Sequence, residues 1–155
     1  MPAALHLVMP AALPVALRQP LAERFCPLAL EAVPAGFPSP ADDYVEARID
    51  LNRELIPSPL STYLMRVRGD AMAGDGIMDG DLLVIDRSLA PRPGRLVVAL
   101  EAGAFIHRRL RCGAGGFRLE ASDGCTPPVP LEQAELWGVV IHAIHHLVAV
   151  PTGQP

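Results

Sequence analysis

Lysine is missing altogether: all 13 basic residues among the 155 are arginines. No side chain here can supply the neutral primary amine that a buried lysine offers near pH 7. Aromatic residues are scarce at 5%, so the core must rest on Leu, Val, Ile and Ala. Positive charge is also short. Thirteen arginines against 17 acids give a net charge of −4, which argues against a protein whose main work is gripping a phosphate backbone. The three cysteines, Cys26, Cys112 and Cys125, form no CxxC pair and make a poor disulfide framework, which fits a reducing cytoplasm. No run approaches the roughly 18 to 20 apolar residues of a membrane span. The apolar start from Met1 to Leu17 is broken by Pro2, Pro10 and Pro14 and carries no positive charge before Arg18, unlike a secretory signal. A soluble, cytoplasmic protein is expected.

Half of the residues are apolar, and a chain of this length buries roughly 70% of its unfolded surface, enough for one domain without staples. Residues 1–40 hold eight prolines, which remove backbone donors and forbid a long helix or a central strand. This stretch reads as an extended arm, apolar enough to lie against the domain or a partner; for residues 1–20 a disordered tail is an equal alternative. Ser39-Pro40-Ala41-Asp42-Asp43 is a helix-start signature. With Tyr44, Val45, Ile49, Leu51 and Leu55 it predicts one broken or two short helices up to Pro57. From Ser61 onward, short β-branched or Leu-rich runs alternate with Gly, Asp and Pro. The runs 62–67, 81–86, 95–100, 105–110, 116–119 and 136–144 predict strands of a mostly antiparallel sheet or partly closed barrel. The expected organisation is an arm over 1–40, a mostly β domain over 41–148 and a tail over 149–155.

Five segments carry a resemblance. Met65-Arg-Val-Arg-Gly-Asp-Ala-Met72 and Gly76-Ile-Met-Asp-Gly-Asp-Leu-Leu-Val-Ile-Asp86 resemble the centre of the LexA/UmuD family of self-cleaving serine peptidases. There a strand ends in Gly-Asp-Ser-Met with Ser as nucleophile. Ala104-Phe-Ile-His-Arg-Arg-Leu110 is similar to the family's Glu-Phe-Thr-Val-Lys-Lys-Leu, whose first Lys is the general base, and Leu136-Trp-Gly-Val-Val-Ile-His142 resembles its closing strand. Ala35-Gly36-Phe37-Pro38-Ser39-Pro40, continued through residues 48–56, resembles the segment bearing the scissile bond in UmuD, which is cut before the Gly. The resemblance spans roughly residues 35–146. The first 34 residues show no helix-turn-helix pattern, which favours the UmuD branch over a repressor. For a UmuD-like chain it implies a dimer engaging a Y-family polymerase subunit and the RecA filament, with Leu136–Ile144 as candidate dimer strand and no cofactor.

The departures from the family fall on its chemistry. Residue 71, at the nucleophile's place, is Ala, and residue 108, at the base's place, is Arg. Ala has no oxygen to attack with, and Arg stays protonated where a Lys can be neutral. His107 adjoins Arg108, but neighbours on a strand face opposite ways. The resemblance therefore implies a pseudo-peptidase keeping Ala35-Gly36 as a vestigial or trans-cleaved site. A second reading is an ordinary self-cleaving peptidase with an engineered dyad. A third, a repressor binding DNA through residues 1–34, fits poorly with the prolines and the charge. Asp70, Asp75, Asp79 and Asp81 read as turn residues because their spacing does not fit a calcium loop, and His142, His145 and His146 read as edge or interface residues before they read as a zinc site.

Overall fold

The computed structural model describes residues 25–29 and 45–148, with side-chain surroundings from Ile49 onward. Two strands, β1 (Phe25–Ala29) and β2 (Val45–Asp50), form an antiparallel two-stranded sheet. Pro27 stands in β1 opposite Arg48, in a two-stranded pair rather than inside a wider sheet, the setting in which proline is best tolerated in a strand. The sequence read residues up to Asp50 as helical, and this is corrected: Val45–Asp50 is a strand, and only α1 (Leu51–Leu55) is helix. The apolar residues Val45, Ala47 and Ile49 alternate with Glu46, Arg48 and Asp50, and β1 supplies the ladder that this period-two pattern needs. Asp50 starts the helix, its side chain accepting from the Asn52 N–H at 3.0 Å. The proposed helix start at Ser39–Asp43 lies outside the described residues, as does the tail from residue 149.

The main body is a seven-stranded sheet built from β3 (Thr62–Arg66), β4 (Leu82–Asp86), β5 (Leu96–Glu101), β6 (Ala104–Gly113), β7 (Gly116–Glu120), β8 (Val129–Pro130) and β9 (Ala134–Ile144). Its order is β3-β4-β9-β5-β6-β7-β8, every pairing is antiparallel, and the sheet stays open with β3 and β8 at its edges. Alternation along β5 and β6 sends side chains to two clusters. Val98 and Phe105 join Met65, Val67, Ala71, Met72, Ile77, Leu83 and Ile85, while Val97 and Ile106 join Ala99, Leu110, Leu119 and Val139. The scarce aromatics are concentrated: Trp137 meets Tyr63 and Phe105 edge to face, at 5.0 and 5.3 Å between centroids. The Arg87 guanidinium lies 4.6 Å from the Trp137 ring centroid and donates through Nε to the Trp137 carbonyl. At the head of the sheet the buried Asp86 accepts from the hydroxyls of Ser61 and Ser88 and from the Ser88 N–H. Burial raises its pKa, but these hydrogen bonds outweigh it and hold the carboxyl below its usual value.

β9 occupies the centre of the sheet. Its first half pairs with β5 up to Val139, whereas among the described residues Val140–Ile144 pairs with β4 alone. Where β9 crosses both neighbours it carries Gly138, whose missing side chain admits Ile85: a Cβ there would lie 2.5 Å from the Ile85 Cγ2. Because Ile85 is completely buried, it has no room to withdraw. Gly138→Ala is expected to destabilise the fold by about 1–3 kcal/mol through overpacking, measured as a lower urea midpoint with an unchanged slope.

Candidate functional site

The Gly-Asp-Ala-Met stretch forms a turn between β3 and β4. Its two ends are clamped by backbone hydrogen bonds, Val67 N–H to Asp81 O at 2.8 Å and Gly80 N–H to Val67 O at 2.9 Å. Gly69 adopts a φ of 83°, a left-handed conformation that suits glycine, and its N–H donates to Asp79. Past that bend, Ala71 and Met72 dip into the core cluster, and a 3₁₀ turn over Ala73–Asp75 brings the chain back out. Ala71 is 3% exposed, so the position matched to a nucleophile holds a buried methyl group.

This turn is strapped to the segment that follows β7. The Ala71 carbonyl accepts from the Ser122 N–H at 2.8 Å, and the Ser122 hydroxyl accepts from the Asp75 N–H at 3.0 Å. Gly74 allows the approach, since a Cβ on it would fall 2.3 Å from the Ser122 carbonyl oxygen. Asp75 in turn pairs with Arg109 on β6 at 2.7 Å. Asp123, next to Ser122, is tied into its own turn by the N–H groups of Cys125 and Thr126 and by the Thr126 hydroxyl, which together hold its carboxyl well below the usual range. Neither Ser122 nor Asp123 is singled out by the sequence motifs; the available signal was Asp123-Gly124 with Thr126 three residues on from Asp123, a turn signature of the Asx type.

Arg108 stands on β6, on the face that carries Ile106 and Leu110. It is 3% exposed, and among the described residues its guanidinium is bonded through Nη1 to the His107 carbonyl at 2.8 Å, while Nε is buried and finds no partner there. Burial pushes its pKa down, opposed by the nearby carboxylates of Glu101 and Asp123, although neither forms an ion pair with it. Ser122 thus holds the Ala71 turn, and Asp123 influences Arg108 without touching it, while Ala71 belongs to the cluster of Val98 and Phe105 on the face of β6 that carries His107. His107 takes the face of β6 opposite Arg108, in register with Val98. It is fully buried with both ring nitrogens unpartnered. Ala35 and Gly36 lie outside the described residues.

The acidic residues do not converge. Asp75 pairs with Arg109, Asp79 accepts from the Gly69 N–H, and Asp81 accepts from the Met78 N–H and meets His145. Among the described residues no group of three or more His, Cys, Asp or Glu is placed to hold a metal.

Burial first, and the neighbouring Arg108 charge second, lower the His107 pKa to about 4, with Asp81 opposing. A neutral native His with a depressed pKa leaves the unfolded state binding more protons between pH 6.5 and 4, so stability falls as pH drops through that window. The expected loss is about 2 kcal/mol from pH 7 to pH 5, at roughly 1.4 kcal/mol per pH unit below the unfolded pKa. Urea titrations at the two pH values measure it, and His107→Val should remove most of the difference.

Similarity to characterised sequences agrees with this geometry. The model of the Peptidase S24-like family matches residues 27–141. Protein SamA of Salmonella typhimurium is 38% identical over 131 residues, covering 84% of this chain and 93% of the relative. Protein ImpA of Escherichia coli is 38% identical over 122 residues, 77% of this chain and 83% of the relative. LexA repressor 1 of Xanthomonas axonopodis is 40% identical over 100 residues, 64% of this chain but 49% of the repressor. With an open antiparallel sheet, a Gly-Asp-x-Met turn set into its core, and a family match over most of its length, the chain belongs to the Peptidase S24-like, LexA/UmuD family.

Proposed function

We propose that this chain is a non-cleaving, UmuD-like regulatory subunit of the SOS DNA-damage response, working in the cytoplasm by binding. The observation that carries the reading is a pair of residues: Ala71 and Arg108 stand where the family's motifs place the nucleophile and the general base. Cutting a peptide bond in this way needs an oxygen to attack the carbonyl and an uncharged amine to take its proton. A methyl group offers neither oxygen nor proton, and a guanidinium, even with its pKa lowered by burial, is no neutral amine. His107 is buried and neutral, but it lies on the other face of β6 from Arg108.

On this reading the partners are an error-prone Y-family translesion polymerase subunit and the RecA filament, with a second copy or a related UmuD-like chain as dimer partner. The net charge of −4 fits protein partners better than direct, sequence-specific DNA contact. Dimerisation draws support from β9, whose Val140–Ile144 half pairs on one side only among the described residues. Ala35-Gly36 is then a vestigial site, or one cut in trans by a competent relative.

The strapped turn around Ala71 also supports the second reading, a self-cleaving peptidase whose Ser and Lys were exchanged by engineering, because its scaffold shows nothing collapsed. Ala71→Ser with Arg108→Lys is expected to restore scission between Ala35 and Gly36 on incubation with an activated RecA filament, or near pH ~10 where a lysine amine sheds its proton. Ala71→Ser alone should stay intact. Intact mass spectrometry reads the loss of residues 1–35, and rapid cutting by the single variant would overturn the assignment of Arg108 to the base's place.

A further inference from the structure

The arginines are unevenly spread: residues 87–118 hold seven of the 13 and a single acid, Glu101. Several of them converge on the β6–β7 hairpin. Arg111 and Arg118 stand directly opposite each other in its ladder, a placement that costs stability because like charges repel. One carboxylate serves both, since Glu120 lies 2.5 Å from the Arg118 Nε and 3.5 Å from the Arg111 Nε. Gly113 leaves room for the Arg118 guanidinium to lie across the hairpin; a Cβ there would fall 2.3 Å from Nη1. The turn carrying Arg92 and Arg95, both exposed, is bonded to Leu110 through the Gly94 N–H and the Arg95 carbonyl, which sets two more charges beside Arg111. Arg109 is not part of this surplus, being held by Asp75 and the Gly94 carbonyl.

The same hairpin has an apolar recess at the edge of the sheet. Phe117 is 45% exposed, and with Gly115, Gly116, Arg118, Pro128 and Pro130 it lines a cavity of about 130 Å³. A space of that order accepts one ring or one branched aliphatic side chain. β8 pairs with β7 only through Arg118 and Leu119, and after Pro130 the chain leaves in a 3₁₀ turn over Leu131–Gln133. Among the described residues no strand lies beside Gly116 and Phe117 on that side. From this combination we propose that the β6–β7 hairpin is a docking face for an extended acidic segment of a protein partner. Its carboxylates reach Arg111 and Arg118, and one bulky apolar residue fills the recess beside Phe117. Charge complementarity selects the occupant: planar guanidiniums in surplus match carboxylates, and an unpaired strand edge matches an extended backbone. A nucleic acid fits less well, because the recess is bounded by prolines and glycines and lacks the row of aromatic rings on which bases stack. This face is independent of what residues 71 and 108 can do.

The test is an amide NMR titration of the isotope-labelled full chain with the capped peptide Asp-Glu-Leu-Glu-Asp, at about 30 mM NaCl so that screening stays weak. Saturable shifts are expected at Arg111 and residues 115–119, fading at about 300 mM NaCl. Exchanging the acids for Asn and Gln should abolish them, and exchanging the Leu for Gly should weaken binding about tenfold. Arg111→Gln and Arg118→Gln should each weaken it about threefold, the scale of an exposed ion pair. Glu120→Gln, which frees both guanidiniums, should instead strengthen binding by a similar factor, a gain that no loss of folding can mimic. Equal shifts from the uncharged peptide, shifts centred on other residues, or no shift at all overturn the inference. So does a single-stranded oligothymidylate that saturates the same signals at lower concentration, which would make the face a nucleic-acid surface.

Discussion

Two adjacent side chains on β6 set the terms for everything around them: His107 and Arg108 are both buried, on opposite faces of one strand in the middle of a small domain. In a low-dielectric interior a polar group must be neutral, paired or hydrogen-bonded. His107 takes the first route and gives up its proton. Arg108 has no such option, because its charge persists. The difference between the two residues is the difference between a group that can take part in proton transfer and one that can only attract or hold.

Around that strand the remaining machinery of the fold is intact. The turn bearing Ala71 is anchored at its base by two backbone hydrogen bonds between Val67 and the Gly80–Asp81 pair, at its tip by Ser122, and at its side by the Asp75–Arg109 pair. Gly74 and Ser122 are in such close contact that neither can change freely. None of these straps uses the side chain of residue 71 or of residue 108, so the framework does not depend on what stands there.

Much of this was legible in the sequence. Strands from Thr62 onward announced themselves through β-branched and Leu-rich runs alternating with Gly, Asp and Pro, and the motifs of the Peptidase S24-like family stood out in the same stretch. The failure at Val45–Asp50 has a plain cause. Tyr44, Val45 and Ile49 also fit a helical spacing, and the partner that decides for a strand, β1, lies some twenty residues upstream in a proline-rich stretch that hides strand signals. β8 was missed because two residues ending in Pro130 carry no periodicity. Ser122 was missed for a different reason: its importance comes from what it touches, namely the Ala71 carbonyl and the Asp75 N–H, and contact across 47 or more residues leaves no local pattern.

The placement of β9 has a consequence for how the sheet is assembled in time. Strand β4 ends at Asp86 and β5 begins at Leu96, yet the two are joined only through residues 134–144, the last strand of the described chain to leave the ribosome. Until then a nascent chain holds a β3–β4 hairpin and a β5–β8 meander, each with an unpaired inner edge. Long-range closure of this sort is slow compared with hairpin formation, and open edges are where strands from different molecules join. Translation that stalls before Ala134 would therefore release a chain with two long exposed edges at the centre of the sheet, a species for chaperones and proteases to clear.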